Sequence, residues 1–257
     1  MNAARQELDA LLLAVQFLTR WPVRVSGVFS EERLSAMVRY YPLVGALIGA
    51  FAGGVFWLAH LVFPMSLAVV LSTAASLIAT GALHEDGFAD VCDGLGGTDR
   101  EKTLAIMHDS RLGTYGVAGL GLMLATKILA LVALPSHIVP WLLVAAHAAS
   151  RSSSVLAIAT SHYVRAVGVA TPVAETLRLG GLLFALATGM AAVCGLGVAY
   201  AQAIIPVGLT GLAAGHLAMR GMYERRLGGY TGDCLGGVQQ MSELGMYLGV
   251  VGALASL

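Results

Sequence analysis

The residues best suited to chemistry collect in three short polar stretches, and the first reads His84-Glu85-Asp86-Gly87-Phe88-Ala89-Asp90-Val91-Cys92-Asp93-Gly94. Asp86, Asp90 and Asp93 stand at i, i+4 and i+7, a spacing that a helix brings to one face. Carboxylates set side by side repel one another unless a cation lies among them. Hard oxygen donors suit Mg²⁺ or Mn²⁺, and Mg²⁺ keeps waters and recruits substrate phosphates to its open positions. The stretch therefore points to a divalent-metal site for a diphosphate, with Asp86, Asp90 and Asp93 as candidate metal ligands and catalytic groups. A solvated acidic loop is the plainer alternative, but such faces ordinarily mix signs.

The second stretch is His108-Asp109-Ser110-Arg111-Leu112-Gly113-Thr114-Tyr115-Gly116. Arg111 can hold a phosphate by its two-pronged guanidinium, and Asp109 can complete the metal site or act as a base. Alone, the stretch reads equally well as a helix N-terminus with its cap. The third, Arg226-Leu227-Gly228-Gly229-Tyr230-Thr231-Gly232-Asp233-Cys234-Leu235-Gly236-Gly237, sets a glycine-rich turn before a helix, where backbone N–H groups meet anions. Gly229 and Gly232 are its candidate phosphate donors, and Asp233 adds a carboxylate. Lys127 and Arg151 fall inside apolar runs, where a charge implies function or an internal counter-ion. Arg151 shares a helix face with His147 and is the better phosphate candidate of the two. Glu243 receives no assignment.

The elements that carry these stretches are membrane helices. The 257 residues are 57% hydrophobic and only 12% charged, with a mean hydropathy of +0.78. Soluble domains are nearer a quarter charged, so the excess must face lipid, which excludes nucleic-acid-binding and disordered classes. Fifteen basic and fifteen acidic residues cancel. Cys92, Cys194 and Cys234 lack CxxC spacing and read as free thiols. Apolar runs of about 20 residues occur at Pro42–Phe63, Met65–Leu83, Thr114–Leu134 and Val139–Thr160. Leu179–Met219 is long enough for two, divided near Pro206, and Val238–Leu257 is last. The expectation is an all-α, polytopic membrane bundle in one domain over 1–257, with about seven spans. The short run Leu11–Leu18 adds an interfacial helix, with no cleaved signal peptide.

Basic residues alternate sides. Arg5, Arg20, Arg24, Arg33 and Arg39 precede the first span; Arg100, Lys102 and Arg111 lie between the second and third. Arg165 and Arg178 follow the fourth, and Arg220, Arg225 and Arg226 the sixth. The connections at Pro64, Ser136–His137 and Ala201–Ile205 have none, so the charged loops, and the three polar stretches with them, are expected on the cytoplasmic side. Gly45-xxx-Gly49-xxx-Gly53 and Gly245-xxx-Gly249 indicate close helix packing and allow self-association.

With these residues in place, the chain resembles the cobalamin synthase (adenosylcobinamide-GDP ribazoletransferase) family. The resemblance rests on Phe17-Leu18-Thr19-Arg20-Trp21-Pro22, Tyr41-Pro42-Leu43-Val44-Gly45, Thr80-Gly81-Ala82-Leu83-His84 with the acidic segment, Ile106 to Gly116, and Gly228 to Asp233. Two positions depart from the family pattern. Glu85 stands where an apolar residue is expected and His108 where an arginine is expected, so neither is carried over as essential. The resemblance implies an inner-membrane enzyme in which a ribose hydroxyl of α-ribazole, or its 5′-phosphate, attacks adenosylcobinamide-GDP and releases GMP, with Mg²⁺ as cofactor. The chemistry of the three stretches fits that reaction, with Arg111 and Arg226 expected to clamp phosphates and Asp93 or Asp109 expected to accept the hydroxyl proton.

Two other readings compete. CDP-alcohol phosphotransferases share an Asp-Gly-x-Ala-Asp pattern, but they need a further aspartate pair four apart, and Asp90 and Asp93 are three apart. A cation transporter would place its acids near the bilayer midplane, whereas these begin where a span ends.

Overall fold

Prolines and glycines set the ends of the helices. The computed structural model describes residues 3–23, 25, 31–164, 177–200 and 202–255; Arg24, Arg165, Ala201 and Leu257 lie outside the described residues. The described helices are α1 (Ala3–Leu18), α2 (Glu31–Val38), α3 (Tyr41–His60), α4 (Met65–Thr80), α5 (Leu83–Gly94) and α6 (Arg100–Ile106), followed by α7 (Thr114–Val132), α8 (Val139–Thr160), α9 (Leu179–Ala199), α10 (Ile204–Leu227) and α11 (Gly232–Ala255). Pro42 and Pro140 lie in the first turns of α3 and α8, where no intrahelical N–H is lost. Pro206, expected to divide the long apolar run, instead sits in the first turn of α10, and the break falls at Tyr200–Ala203.

Among the described residues four helices, α3, α7, α8 and α9, are long and apolar enough by themselves to cross a membrane, and α4 with α5 makes a fifth if that bent pair is one span. The chain is thus a multi-pass helical membrane protein, with fewer clear spans than the seven expected from hydropathy. Two features account for the difference. α4 stops after 16 residues, and α5 leaves it at 90°. α10 and α11 run 24 residues each but carry charged or polar groups, and in α11 Gln239, Gln240, Ser242 and Glu243 are buried in the bundle rather than facing lipid.

The glycine series work inside the chain. A Cβ at Gly45, Gly49 or Gly53 would strike the backbone of α8 at His147, Leu143 or Pro140. Gly245 and Gly249 approach Gly211 and Val207 of α10 in the same way. Both faces expected to permit self-association are occupied by the chain's own helices. α1 is longer than the apolar run that predicts it, and buries Leu13, Ala14, Val15 and Leu18 in the core cluster containing Met37, Val38 and Val44. At one end of the bundle His137 meets Tyr200, ring centroids 5.3 Å apart, and a groove is bordered by His60, Leu61, Ser136 and His137. The three connections without basic residues therefore share an end.

Candidate active site

The acidic helix is aimed by a sharp bend. Gly81 and Ala82 both take left-handed backbone angles, φ 65° and 55°; for alanine this costs about 1–2 kcal/mol. Arg20 braces the corner. Its N–H donates to the Ala79 carbonyl at 2.7 Å, and its side chain fills the space a Cβ on Gly81 would need. α5 then crosses α11 closely, Gly87 lying against the backbone of Asp233 and Gly236 against that of His84. The glycine after Asp86 thus lets the first and third polar stretches touch.

Between them opens a cavity of about 360 Å³. Glu85, Asp86 and Asp90 come from α5, His108 and Asp109 from the segment after α6, and Asp233 from the first turn of α11, with Leu112 and Leu120 on the apolar side. All three polar stretches reach one cavity.

Asp93 does not line it. Its Oδ2 accepts the Gly113 N–H at 2.8 Å and its Oδ1 the Gly116 N–H at 2.7 Å. It therefore caps α7 from a neighbouring helix, satisfying donors that every helix N-terminus leaves open. Gly113 and Gly116 are glycines because a Cβ at either would collide with this carboxylate. The sequence triad divides into a cavity-facing pair, Asp86 and Asp90, and a structural third member, which corrects the expectation that Asp93 is a ligand beside them. Asp93→Ala is expected to lower stability by about 1–3 kcal/mol, the penalty of buried donors left unpaired, read by thermal unfolding in detergent.

The other candidates are placed as follows. Arg111, 87% exposed, grips Asp109 through Nε to Oδ1 at 3.0 Å and Nη2 to Oδ2 at 2.6 Å. That grip pulls the Asp109 carboxyl down to about 2, so Asp109 is a weak base while Arg111 holds it. Arg111→Gln is expected to return Asp109 towards the ordinary value near 3.9, so that it loses its charge at a higher pH; a carboxyl-carbon NMR titration reads this. Arg226 donates to the carbonyls of Leu95 and Gly97, both at 3.1 Å, closing the segment after α5 rather than facing the cavity. Gly229 packs against the His162 carbonyl beside the Tyr163–Tyr230 bridge, so closeness of two backbones explains that glycine. Gly232 opens α11 with space around it. Arg151 is buried away from the cavity, its Nη1 donating to the His147 carbonyl at 2.9 Å.

Among the described residues no three His, Cys, Asp or Glu side chains gather into a ready-made metal cage. The donor chemistry still fits Mg²⁺, which is commonly held by one or two carboxylates with substrate phosphates and waters completing its six positions. Asp86 and Asp90, one helical turn apart on the cavity wall, are such a pair.

Below the cavity lies a buried polar network. Lys127 Nζ contacts Glu243 Oε1 and Gln240 Oε1, each at 2.6 Å. Gln239 donates to Glu243 Oε2 at 2.6 Å, the Tyr247 hydroxyl donates to Glu243 Oε1 at 3.0 Å, and His147 Nδ1 lies 3.5 Å from Glu243 Oε2. Gln240 donates to Glu85 Oε1 at 2.8 Å. Gln239, Gln240 and Tyr247 carried no signal of their own, since their partners lie on other helices or are themselves unassigned in sequence. Lys127 and the Arg151–His147 pair, inside apolar runs, gave the indication.

Comparison with known proteins identifies the family. A family profile described as Cobalamin-5-phosphate synthase matches residues 10–251. The chain belongs to the cobalamin-5-phosphate synthase family. Family members similar to it are named adenosylcobinamide-GDP ribazoletransferase: one from Ralstonia pickettii is 41% identical over 260 residues, covering 100% of both chains, and one from Leptothrix cholodnii is 44% identical, covering 97% of each. Another, from Vibrio parahaemolyticus, is 39% identical over 96% of this chain and 93% of its own. No solved structure matches.

Proposed function

We propose that the chain is an adenosylcobinamide-GDP ribazoletransferase of cobalamin biosynthesis, working in the cytoplasmic (inner) membrane with its cavity towards the cytoplasm. The observation that carries this reading is the convergence of the three polar stretches on one acidic cavity in a chain that matches the family from residue 10 to 251. The orientation is supported by the segregation of basic loops from the His60, His137 and Tyr200 end.

In the proposed reaction the hydroxyl oxygen of α-ribazole, or of its 5′-phosphate, bonds to the phosphorus on the cobinamide side of adenosylcobinamide-GDP. The bond from that phosphorus to the bridging oxygen breaks, and GMP departs with that oxygen. Mg²⁺ held by Asp86 and Asp90 would neutralise the diphosphate charge. Arg111 is exposed and, among the described residues, tethered by Asp109 alone, so it can swing onto a substrate phosphate. Once it has swung, Asp109 loses the hydrogen bonds that depress it and becomes the stronger proton acceptor, a role worth about 10²–10⁴-fold. The cavity suits a diphosphate with its sugar, and the larger corrin would remain outside it, where Leu112 of the lining is exposed.

The test is turnover by the purified chain in detergent or liposomes with adenosylcobinamide-GDP, α-ribazole and Mg²⁺, following GMP and cobalamin by chromatography. Equal amounts of both products, abolished by EDTA, are expected. A folded sample that releases no GMP would reject the reading.

A further inference from the structure

Neither the cavity carboxylates nor the proposed reaction accounts for Gln240, which is buried on α11 and bonded to Glu85 on α5. We infer that Gln240 is a positioning residue for the cation site. It straps Glu85, and through it the first turn of α5, so that Asp86 and Asp90 keep their place on the cavity wall. The inference rests on the metal-assisted reading of that cavity.

α5 lacks the usual means of holding its start. Its N-cap residue, Ala82, supplies no side-chain cap and sits in the left-handed region. The first turns of α5 are packed against one face of α11. Asp233, Gly236 and Gln240 follow at three- and four-residue spacing, and they meet Gly87, His84 and Glu85 respectively. Two of these contacts are bare backbone approaches, which allow sliding. The third is a directional hydrogen bond.

The orientation of the Gln240 amide is settled by chemistry. Lys127 can only donate, so the amide oxygen must face Nζ at 2.6 Å, and the NH₂ must then face Glu85 Oε1 at 2.8 Å. The same NH₂ donates to Gln239 Oε1 at 2.8 Å, and Lys127 is anchored in turn on Glu243. Glu85 is only 9% exposed, its Oε2 has no partner, and it borders both the acidic cavity and a closed space of about 20 Å³ that touches Lys127 and Glu243. Among the described residues Glu85 is thus the side chain that borders both the cavity and the buried network. Partners behind a ligand set commonly alter metal affinity by about 10–100-fold when removed.

The experiment uses the full chain in detergent, with Mn²⁺ binding measured by electron paramagnetic resonance and the half-saturating Mg²⁺ for turnover measured beside it. Gln240→Leu and Glu85→Leu are each expected to weaken Mn²⁺ binding and raise the half-saturating Mg²⁺ about 10-fold, with a smaller change in kcat at saturating metal. The double variant is expected to be no worse than either single one, because both act through one bond. The exchange Glu85→Gln with Gln240→Glu keeps a donor and an acceptor across the pair and is expected to recover most of the affinity lost in Glu85→Gln; it gives an answer if the leucine variants fail to fold. Unchanged Mn²⁺ affinity in folded single variants, effects that multiply in the double, or an exchange no better than Glu85→Gln would each overturn the inference. The Mn²⁺ measurement decides it whether or not the wild-type chain turns over, so its failure is separable from failure of the proposed reaction.

Discussion

Glu243→Gln is expected to destabilise the chain by about 3–5 kcal/mol, the range for removing one partner from a buried ion pair. Glu243 is 2% exposed and receives Lys127 at 2.6 Å, Gln239 at 2.6 Å and Tyr247 at 3.0 Å, with His147, which carries Arg151, close by. Without its charge, Lys127 and Arg151 remain as buried cations, and Glu85, linked to Lys127 only through Gln240, is the carboxylate left in the network. Lys127→Met is expected to do less harm, since Glu243 keeps the hydrogen bonds from Gln239 and Tyr247. The double variant should lose less than the sum of the two, because the second change removes a charge that the first had stranded. Thermal unfolding in one detergent reads all three. A Glu243→Gln protein as stable as wild type would show that the pair holds nothing together.

The second large effect is on turnover. Asp86→Ala is expected to reduce kcat/KM by about 10²–10³-fold, the size of losing one group that stabilises transition-state charge, while leaving the unfolding temperature near that of wild type. Asp86 faces the cavity and no packed helix end depends on it, whereas Asp93 supports the start of α7 through two backbone donors. Asp93→Ala should therefore show the opposite balance, a fall in stability larger than any direct effect on metal binding. Two aspartates in one motif would then separate into chemistry and architecture. An Asp86→Ala protein with full metal-dependent turnover would remove the cavity pair from the mechanism.

The contrast shows what sequence reveals here. Spacing of i, i+4 and i+7 correctly puts Asp86, Asp90 and Asp93 on a helix, but it holds no information about which neighbour lies beyond each turn. The start of α7 reaches Asp93 and not Asp86, and only tertiary packing decides that. Hydropathy finds the apolar runs, but it does not foresee that Gly81 and Ala82 turn the chain by 90° after α4 or that the polar groups of α11 face the bundle. Glycine patterns were legible as close packing in α3 and α11. They were less so in the loop before α11, where Gly229 answers to the His162 backbone instead of an anion. Arg226 and Arg151 carry the right charge for phosphate but are engaged by backbone carbonyls, partners that no residue pattern announces. Glu85, set aside because it departs from the expected apolar type, proves to touch both the cavity and the network beneath it.

The buried network also bears on how the protein is made. Lys127 lies in α7 and Arg151 in α8, both synthesised well before Glu243 in α11. A lone lysine costs about 2.5–3.5 kcal/mol at the centre of a membrane helix on insertion scales, and the direct partner of Lys127 lies on the last helix of the chain. The Lys127–Glu243 pair is therefore completed only once α11 has packed against α7, so the last helix to be made closes the electrostatics of the bundle.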